Sequence, residues 1–202
     1  SLAAINEMES SLGVICLDFN YYKTEVTIII DDQLVFFDSS DVGLKYVNND
    51  LQSILNVSDE DSDKLRIKWS NDNSSKNLDE SDIRIKQIIS SRLEEIIELA
   101  LKKLKISKYY DLANSHVVLT GEGAKHADII DLATNIFKTK NIRIGSPQKI
   151  HGLKTIIENP SNSTCLGMLN YALSTEFQFN AKDESDKKKS VLSMLYNFFK
   201  AI

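Results

Sequence analysis

The hydrophobic period changes twice along this chain of 202 residues, and these two changes restrict the possible folds more than any other feature. Apolar runs of strand length come first, within residues 13–39, and a short Asp31-Asp32 turn separates the last two of them. Runs of β-favouring residues joined by so short a turn predict a hairpin. Residues 13–39 should therefore form a three-stranded meander.

The period then becomes helical. Apolar residues recur at helical spacing from Gly43 to Leu55, and Ser58 is placed to cap a second helix. Residues 70–80 are polar and predict a loop. The strongest helix should run from Ser81 to about Lys105, and its predicted apolar stripe consists of Ile85, Ile88, Ile89, Leu93, Ile96, Ile97, Ala100, Leu101 and Leu104.

Strand patterns return after this helical stretch. Residues 116–124 read as a buried strand that ends in a glycine turn, and 142–148 as another strand; helices are predicted at 128–138 and from near Ser163. Residues 2–9 resemble the end of a short helix. Strands followed by helices, with a helical insertion between them, predict an α/β domain.

Composition excludes some classes of function. Hydrophobic residues make up 42% of the chain, as in packed domains, whereas the net charge of -5 disfavours binding to nucleic acid. The cysteines and histidines lack the spacing of metal ligands, so no metal site is expected. We expect Cys16 and Cys165 to be buried apolar residues, and His116, His126 and His151 to lie in loops or at the surface.

The N-terminus does not have the pattern of a signal peptide. The sequence starts without Met, has no signal-peptide pattern and has no apolar run near the ~18 residues that a membrane-spanning helix needs. We therefore expect a fragment of an intracellular protein that does not cross the membrane.

Two segments could carry ligand chemistry. In the turn Thr120-Gly121-Glu122-Gly123-Ala124, glycines after a buried strand would leave backbone N–H groups open to a nucleotide, although an ordinary strand-to-helix turn has the same pattern. The second segment runs from Asp18 to Thr24 between two strands. Actin-like ATPases hold phosphate at such a hairpin, but this one has no glycine and contains two tyrosines.

The order of these motifs closely resembles the second half of the FtsA family, over about residues 2–173. The matching positions are Gly13, Val14, Asp18 and Thr24; Asp50, Asp63 and Arg66; Val118 to Ala124, with Glu122 in place of a glycine; Arg143, Ile144, Gly145, Pro147, Gly152 and Leu153; and Pro160, Ser163, Thr164, Gly167, Leu169 and Tyr171. The segment R-I-G-x-P before P-x-x-S-T separates this family from other actin-like ATPases.

The resemblance implies an α/β actin-like (ribonuclease H-like) second-half domain with a helical inserted subdomain and a C-terminal amphipathic helix. The implied divisions are 1–12, the end of a preceding helix; 13–42 with 106–174, the core; 43–105, the insertion; 175–189, a flexible linker; and 190–202, the membrane-targeting helix.

The resemblance also implies ATP and Mg²⁺ as ligands. The nucleotide-binding residues carried over from the family are Asp18, Thr24, Asp63, Arg66, Gly121, Gly123 and Ala124. The missing loop glycines and Glu122 predict a degraded site, because a glutamate beside a triphosphate adds like charge. No catalytic residue is expected, and hydrolysis by this chain alone is not expected.

The function implied is that of an adaptor which tethers FtsZ to the cytoplasmic side of the inner membrane at the division septum, and which associates into filaments in the full-length protein. Arg92 and Glu95 match positions that contact the FtsZ tail; an intrahelical pair is the alternative for both. An actin-like ATPase with a nucleotide-driven assembly cycle is the alternative function. A pilus-assembly ATPase is disfavoured by the R-I-G-x-P segment.

The last residues predict a helix that lies on an anionic membrane surface. Its contacts would come from a basic flank and one apolar face: Lys188, Lys189, Val191, Leu192, Leu195, Phe198, Phe199 and Ile202. The alternative is a terminal helix that packs on the core of its own domain.

Overall fold

The computed structural model describes residues 2–71, 79–147 and 158–173. The chain divides into two compact units, Ser1–Gly167 and Met168–Ile202; of the second, only the end of the last helix is described. The strands are β1 (Val14–Phe19), β2 (Thr24–Ile30), β3 (Gln33–Ser40), β4 (Val117–Gly121) and β5 (Ile142–Ile144). The α-helices are α1 (Glu7–Leu12), α2 (Leu44–Leu55), α3 (Asp59–Asn71), α4 (Glu80–Leu104), α5 (Tyr110–Ala113), α6 (Ile129–Phe137) and α7 (Ser163–Leu173).

The strands form one mixed sheet in the order β3-β2-β1-β4-β5. β2 pairs antiparallel with both β1 and β3, which confirms the predicted meander. β4 lies parallel to β1, and β5 lies parallel to β4. Because parallel neighbours need a crossover connection, the chain must leave the sheet between β3 and β4, and it does so through α2 to α5. The predicted α/β class is confirmed.

The central strand β1 packs on both of its faces. Ile15, Leu17 and Phe19 belong to the larger apolar cluster, which includes the helical insertion, whereas Val14 and Cys16 belong to a smaller cluster on the other face. Successive side chains of a strand point to opposite faces of the sheet. A strand covered on both faces therefore reads as a continuous apolar run rather than an alternating one.

The long helix α4 lies against α2, α6, β2 and β3. Its predicted stripe is buried from Ile85 to Leu104, except that Ile88 is half-buried. The side chain of Asp79 caps its first turn by accepting a hydrogen bond from the N–H of Asp82. The stripe thus joins the insertion to the sheet.

The two shorter helices of the insertion differ from prediction at their ends. In α2, Ile54 was expected on the apolar face but is 48% exposed. Ser58 does cap α3, because its hydroxyl accepts the N–H of Asp61 at 3.1 Å. The helix continues to Asn71, so the loop predicted from residue 70 starts too early; buried Trp69 anchors this last turn.

The N-terminal segment forms two short elements instead of one helix end. A 3-10 turn at Leu2–Ala4 precedes α1, which begins after Asn6. The side chain of Asn6 accepts the N–H of Glu9, and Glu9 accepts the N–H of Asn6, so a reciprocal capping box starts a new helix there.

Several smaller predictions are wrong. β5 ends at Ile144 rather than at Pro147. Cys165 is exposed rather than buried. His126 does lie in a loop, at the bend before α6, but its side chain is buried and so not at the surface. Burial lowers the pKa of His126, because the charged imidazolium would lose its hydration. Among the described residues, no helix combines the length and apolar character that crossing a bilayer requires.

Candidate functional site

The turn after β4 contains Gly121 and Gly123, and both lie directly against β1. Gly121 has a φ of +84°, and a Cβ there would stand 2.5 Å from the carbonyl oxygen of Phe19. A Cβ on Gly123 would stand 2.7 Å from the Cβ of Phe19. The turn therefore needs glycine in order to pack on the neighbouring strand. Close approach to a ligand, the reason expected from the sequence, is not required to explain either glycine.

The hairpin between β1 and β2 caps helix α2. The carbonyl oxygens of Asn20 and Tyr21 accept the N–H groups of Leu44 and Lys45, at 3.1 and 2.8 Å. These are first-turn donors that have no partner within the helix. A Cβ on Gly43 would stand 2.5 Å from the Asn20 oxygen, so glycine lets the helix start against the hairpin. Nothing in the sequence pattern predicted this role of the hairpin.

Asp18 and Thr24, predicted to face phosphate and Mg²⁺, are both buried and both engaged in hydrogen bonds with protein groups. Asp18 Oδ2 accepts the hydroxyl of Thr164 at 2.9 Å. The Thr24 hydroxyl donates to the carbonyl oxygen of Val42, also at 2.9 Å. These contacts fix the two ends of the hairpin, and the phosphate role of both residues stays a prediction.

The motifs R-I-G-x-P and P-x-x-S-T meet at one buried residue, Thr120. Its hydroxyl donates to the carbonyl oxygen of Gly145 at 2.9 Å and lies 2.7 Å from the hydroxyl of Ser163. The carbonyl oxygen of Pro160 is 3.3 Å away. Residues far apart in the sequence thus converge behind the glycine turn and hold it in place.

Arg66 lies at the centre of a network that joins α3, α2, the hairpin and the glycine turn. Its guanidinium donates from Nε to Asn48, from Nη2 to Asp63 and from Nη1 to Glu122, at 2.8, 2.6 and 2.8 Å. The ring of Tyr21 lies 5.9 Å from its Cζ. We call Tyr21, Asn48, Asp63, Arg66 and Glu122 the Arg66 cluster. Asp63 and Arg66 were predicted to lie together, whereas the other three were not predicted as site residues.

A cleft of about 570 Å³ opens beside the Arg66 cluster. Its lining residues are Tyr21, Asp59, Glu60, Asp63, Lys64, Arg66 and Glu122, so four carboxylates face two cations and the formal charge of the lining is −2. This charge disfavours a polyphosphate.

Hydrogen bonds shift the pKa values of Arg66 and Asp63 in the directions that keep both residues charged. Burial by itself would lower the pKa of Arg66, but hydrogen bonds to Glu122 and Asp63 outweigh it and raise the pKa above its usual value. Burial would likewise raise the pKa of Asp63, yet the hydrogen bonds from Arg66 and Asn48 lower it below the usual range. Arg66 and Asp63 are therefore both ionised at neutral pH.

Asp50, which the sequence grouped with Asp63 and Arg66, contacts Arg92 instead. The Arg92 guanidinium donates two hydrogen bonds to the Asp50 carboxylate, at 2.6 and 2.8 Å, and a third to Glu95 one turn further along α4. The ring of Tyr46 lies 6.0 Å from Arg92 Cζ. We call Tyr46, Asp50, Arg92 and Glu95 the Arg92 cluster. Arg92 and Glu95 form the intrahelical pair that the sequence analysis held as an alternative.

The predicted membrane contacts all lie outside the described residues. They are Lys188, Lys189, Val191, Leu192, Leu195, Phe198, Phe199 and Ile202, together with the linker at 175–189. Gly152 and Leu153 of the R-I-G-x-P motif region also lie outside.

The mixed sheet, its crossover through an insertion and the buried glycine turn define an actin-like protein. MreB 5 of Spiroplasma citri bound to AMPPNP superposes with a TM-score of 0.68 and 15% identity, over 91% of this chain and 59% of that one. A chain of the PilM-PilN type IV pilus biogenesis complex gives 0.67 and 14%, over 86% of this chain and 48% of that one. At such identities the likeness shows the fold alone.

Sequence comparison identifies the family. The family described as cell division protein FtsA matches residues 15–167, and the chain belongs to that family. The cell division protein FtsA of Buchnera aphidicola (strain APS) is 28% identical over the whole of this chain and 52% of its own length. That of Pseudomonas aeruginosa is 24% identical over 85% of this chain and 45% of its own. The chain thus spans about half the length of the curated relatives it matches.

Proposed function

We propose that this chain is part of a division adaptor that holds FtsZ at the cytoplasmic side of the inner membrane, at the septum. Membership of the FtsA family, which extends over residues 15–167, is the observation that carries the proposal. The full-length protein would associate with itself in filaments, and nucleotide would serve assembly rather than turnover.

The FtsZ tail would bind at the Arg92 cluster, between α2 and α4. Arg92 is 24% exposed and lies over the ring of Tyr46. Arginine and tyrosine at partly exposed positions are common anchors of peptide interfaces. Because Asp50 and Glu95 already accept hydrogen bonds from the guanidinium, an acidic residue of the tail would compete with them. Breaking the pair with Glu95, which is 52% exposed, costs less free energy than breaking the pair with Asp50, which accepts two hydrogen bonds.

Fluorescence anisotropy with a labelled FtsZ C-terminal peptide tests this surface. We expect Arg92→Ala to weaken binding about tenfold, the effect of losing one charge-assisted hydrogen bond. Arg84→Ala is the matched control, because Arg84 is exposed on the same helix, and it should change the affinity less than about twofold. Equal affinities for the wild type and Arg92→Ala would exclude this surface as the tail site.

The membrane contact is proposed for residues 190–202, on the basis of their sequence. An apolar face with a lysine flank suits an interfacial helix, and each lysine near an anionic surface contributes up to about 1 kcal/mol. Co-sedimentation with vesicles containing phosphatidylglycerol should be lost when the chain ends at residue 186. Vesicles of phosphatidylcholine alone serve as the control for charge. Equal sedimentation of both chains, or of neither, would overturn the membrane part of the proposal.

A nucleotide-driven assembly cycle is the second candidate, and the cleft beside Arg66 is the observation that favours it. Asp63, Arg66 and the turn from Gly121 to Ala124 would hold the nucleoside end of ATP. The residues present suit the nucleoside better than the phosphates, since both cations of the cleft are already paired with carboxylates. They also suit it better than Mg²⁺, since Asp18 accepts a hydrogen bond from Thr164. We assign no catalytic residue to this chain.

Pelleting of the full-length protein separates the two candidates. A nucleotide-driven cycle requires that ATP and ADP give different amounts of polymer. An adaptor whose assembly needs only a bound nucleotide should give the same amount with both. Polymer that grows with ATP and disappears as phosphate is released would favour the cycle over the adaptor.

A further inference from the structure

Glu122 closes one side of the cleft by reaching from the sheet to the insertion. It lies in the turn after β4, and its carboxylate accepts a hydrogen bond at 2.8 Å from Arg66, which is 56 positions away on α3. Arg66 is only 4% exposed, whereas Glu122 is 35% exposed. The arginine is therefore a fixed part of the cleft wall, and the glutamate is the member of the pair that faces solvent.

The guanidinium is already held by protein oxygens on every side. Each of its nitrogens donates to a protein oxygen, from Asn48, Asp63 or Glu122. The other cation of the cleft, Lys64, is likewise paired with Glu60 at 2.6 Å and with Asp61 at 3.8 Å. An incoming phosphate would therefore lie beside carboxylates that already neutralise both cations.

Uncharged groups meet a different environment. The carboxylates of Glu122 and Asp63 are partly exposed and can accept hydrogen bonds from sugar hydroxyls. The ring of Tyr21, which lines the same cleft, offers an aromatic surface on which a base can stack. The lining therefore suits the nucleoside part of a nucleotide.

We propose that Glu122 is a built-in anion that satisfies Arg66 in place of a ligand phosphate, so that the cleft prefers an uncharged nucleoside to its phosphates. This inference rests on the proposed nucleotide cleft and adds its ligand preference. Like charges several ångströms apart change affinity by about tenfold or more at the effective dielectric constant of a protein surface. Glu122 is thus a residue that determines specificity.

Isothermal titration of the chain with adenosine and with ATP, each in the presence of Mg²⁺, tests the proposal. In the wild type, adenosine should bind at least as tightly as ATP. Glu122→Gln keeps the shape of the side chain and removes its charge. It should strengthen the binding of ATP relative to that of adenosine, so that the ratio of the two dissociation constants changes about tenfold. Glu98→Gln is the matched control: it removes the same charge from an exposed position of α4 outside the cleft, so the ratio should change less than about threefold.

The outcomes separate this inference from the proposed site. Tighter binding of ATP than of adenosine by the wild type overturns the inference and leaves the nucleotide cleft in place; that comparison needs no substitution. An equal ratio in the wild type and Glu122→Gln, with both folded by circular dichroism, also overturns it. Binding of neither ligand to either protein overturns the inference together with the nucleotide cleft.

Discussion

Arg66 and Arg92 both belong to the helical insertion, and each forms ion pairs with two carboxylates. Their surroundings nevertheless differ. Arg66 is buried, and one of its partners, Glu122, belongs to the turn of the sheet. Arg92 is partly exposed, and both of its partners, Asp50 and Glu95, belong to the insertion. The Arg66 cluster therefore connects two parts of the fold, whereas the Arg92 cluster connects only neighbouring helices.

This difference indicates which arginine is free to exchange partners. Removing one member of a buried ion pair typically costs 3–5 kcal/mol, roughly, because a desolvated charge is left behind. An exposed pair contributes about 0–1 kcal/mol, because water and salt replace the lost partner. The Arg92 cluster can therefore exchange a carboxylate for one of a partner protein at little cost, and the Arg66 cluster cannot.

The largest effect should come from the turn that positions Glu122. Gly121→Ala adds a Cβ 2.5 Å from a carbonyl oxygen at a φ of +84°, so we expect a loss of about 4 kcal/mol in the free energy of unfolding. Urea unfolding followed by circular dichroism measures it. Gly167→Ala is the control, because its Cβ would stand 3.1 Å from a methyl group, and it should cost less than about 1 kcal/mol. Equal stability of the two variants would contradict the packing explanation.

Exchange of each arginine for methionine tests the comparison directly. Arg66→Met leaves Asp63 and Glu122 without their shared cation and should lower the free energy of unfolding by about 3 kcal/mol. Arg92→Met should lower it by about 1 kcal/mol or less. The same urea titration gives both values. If the two losses were equal, burial would not distinguish the two clusters.

Weakening the pair between Arg92 and Asp50 of α2 should strengthen peptide binding. In Asp50→Asn the guanidinium loses the negative charge and one of the two acceptor oxygens of its partner on α2, so it becomes more available to an acidic residue of the FtsZ tail. We expect a gain of about threefold to fivefold in affinity by anisotropy, which corresponds to less than 1 kcal/mol, roughly. Asp61→Asn, an exposed change on α3, should leave the affinity unaltered. Weaker binding by Asp50→Asn would show that the tail needs this pair intact.

The smallest effect is a pH dependence that belongs to the Arg66 cluster. Because the pKa of Asp63 is below its usual value in the folded chain, its stabilising effect is present above about pH 4 and is lost as the pH falls towards the folded pKa. The difference in unfolding free energy between wild type and Asp63→Asn should therefore shrink between pH 6 and pH 3. Asp59→Asn, on the same cleft wall, is the control. A difference that does not vary with pH would contradict this assignment.

Much of the fold could be predicted from local sequence. The meander and the stripe of α4 were predicted because a period of 2 or 3.6 records which side of an element is buried. Element ends were predicted less well. β5 is shorter than the predicted strand. Helix α3 continues to Asn71, because contacts of its last turn through Trp69 outweigh the polar composition beyond it.

The candidate site was predicted only in part. The family resemblance grouped Asp63 with Arg66, and the two residues do form an ion pair, three positions apart on α3. It assigned Asp50 to the same group, although Asp50 binds Arg92, 42 positions away. Asn48 and Tyr21 gave no sequence signal, since an asparagine and a tyrosine suit an exposed surface equally well.

By itself, then, the sequence determined the α/β class, the course of the helical insertion and the family, since each depends on local period or on the order of motifs. The tertiary structure alone decided that Glu122 meets Arg66, that Gly121 and Gly123 serve packing on β1, and that Arg92 is already paired. These contacts join elements that are distant along the chain. Their energies depend on burial and on the angle at which helices meet the sheet, and neither quantity is encoded in any short stretch of residues.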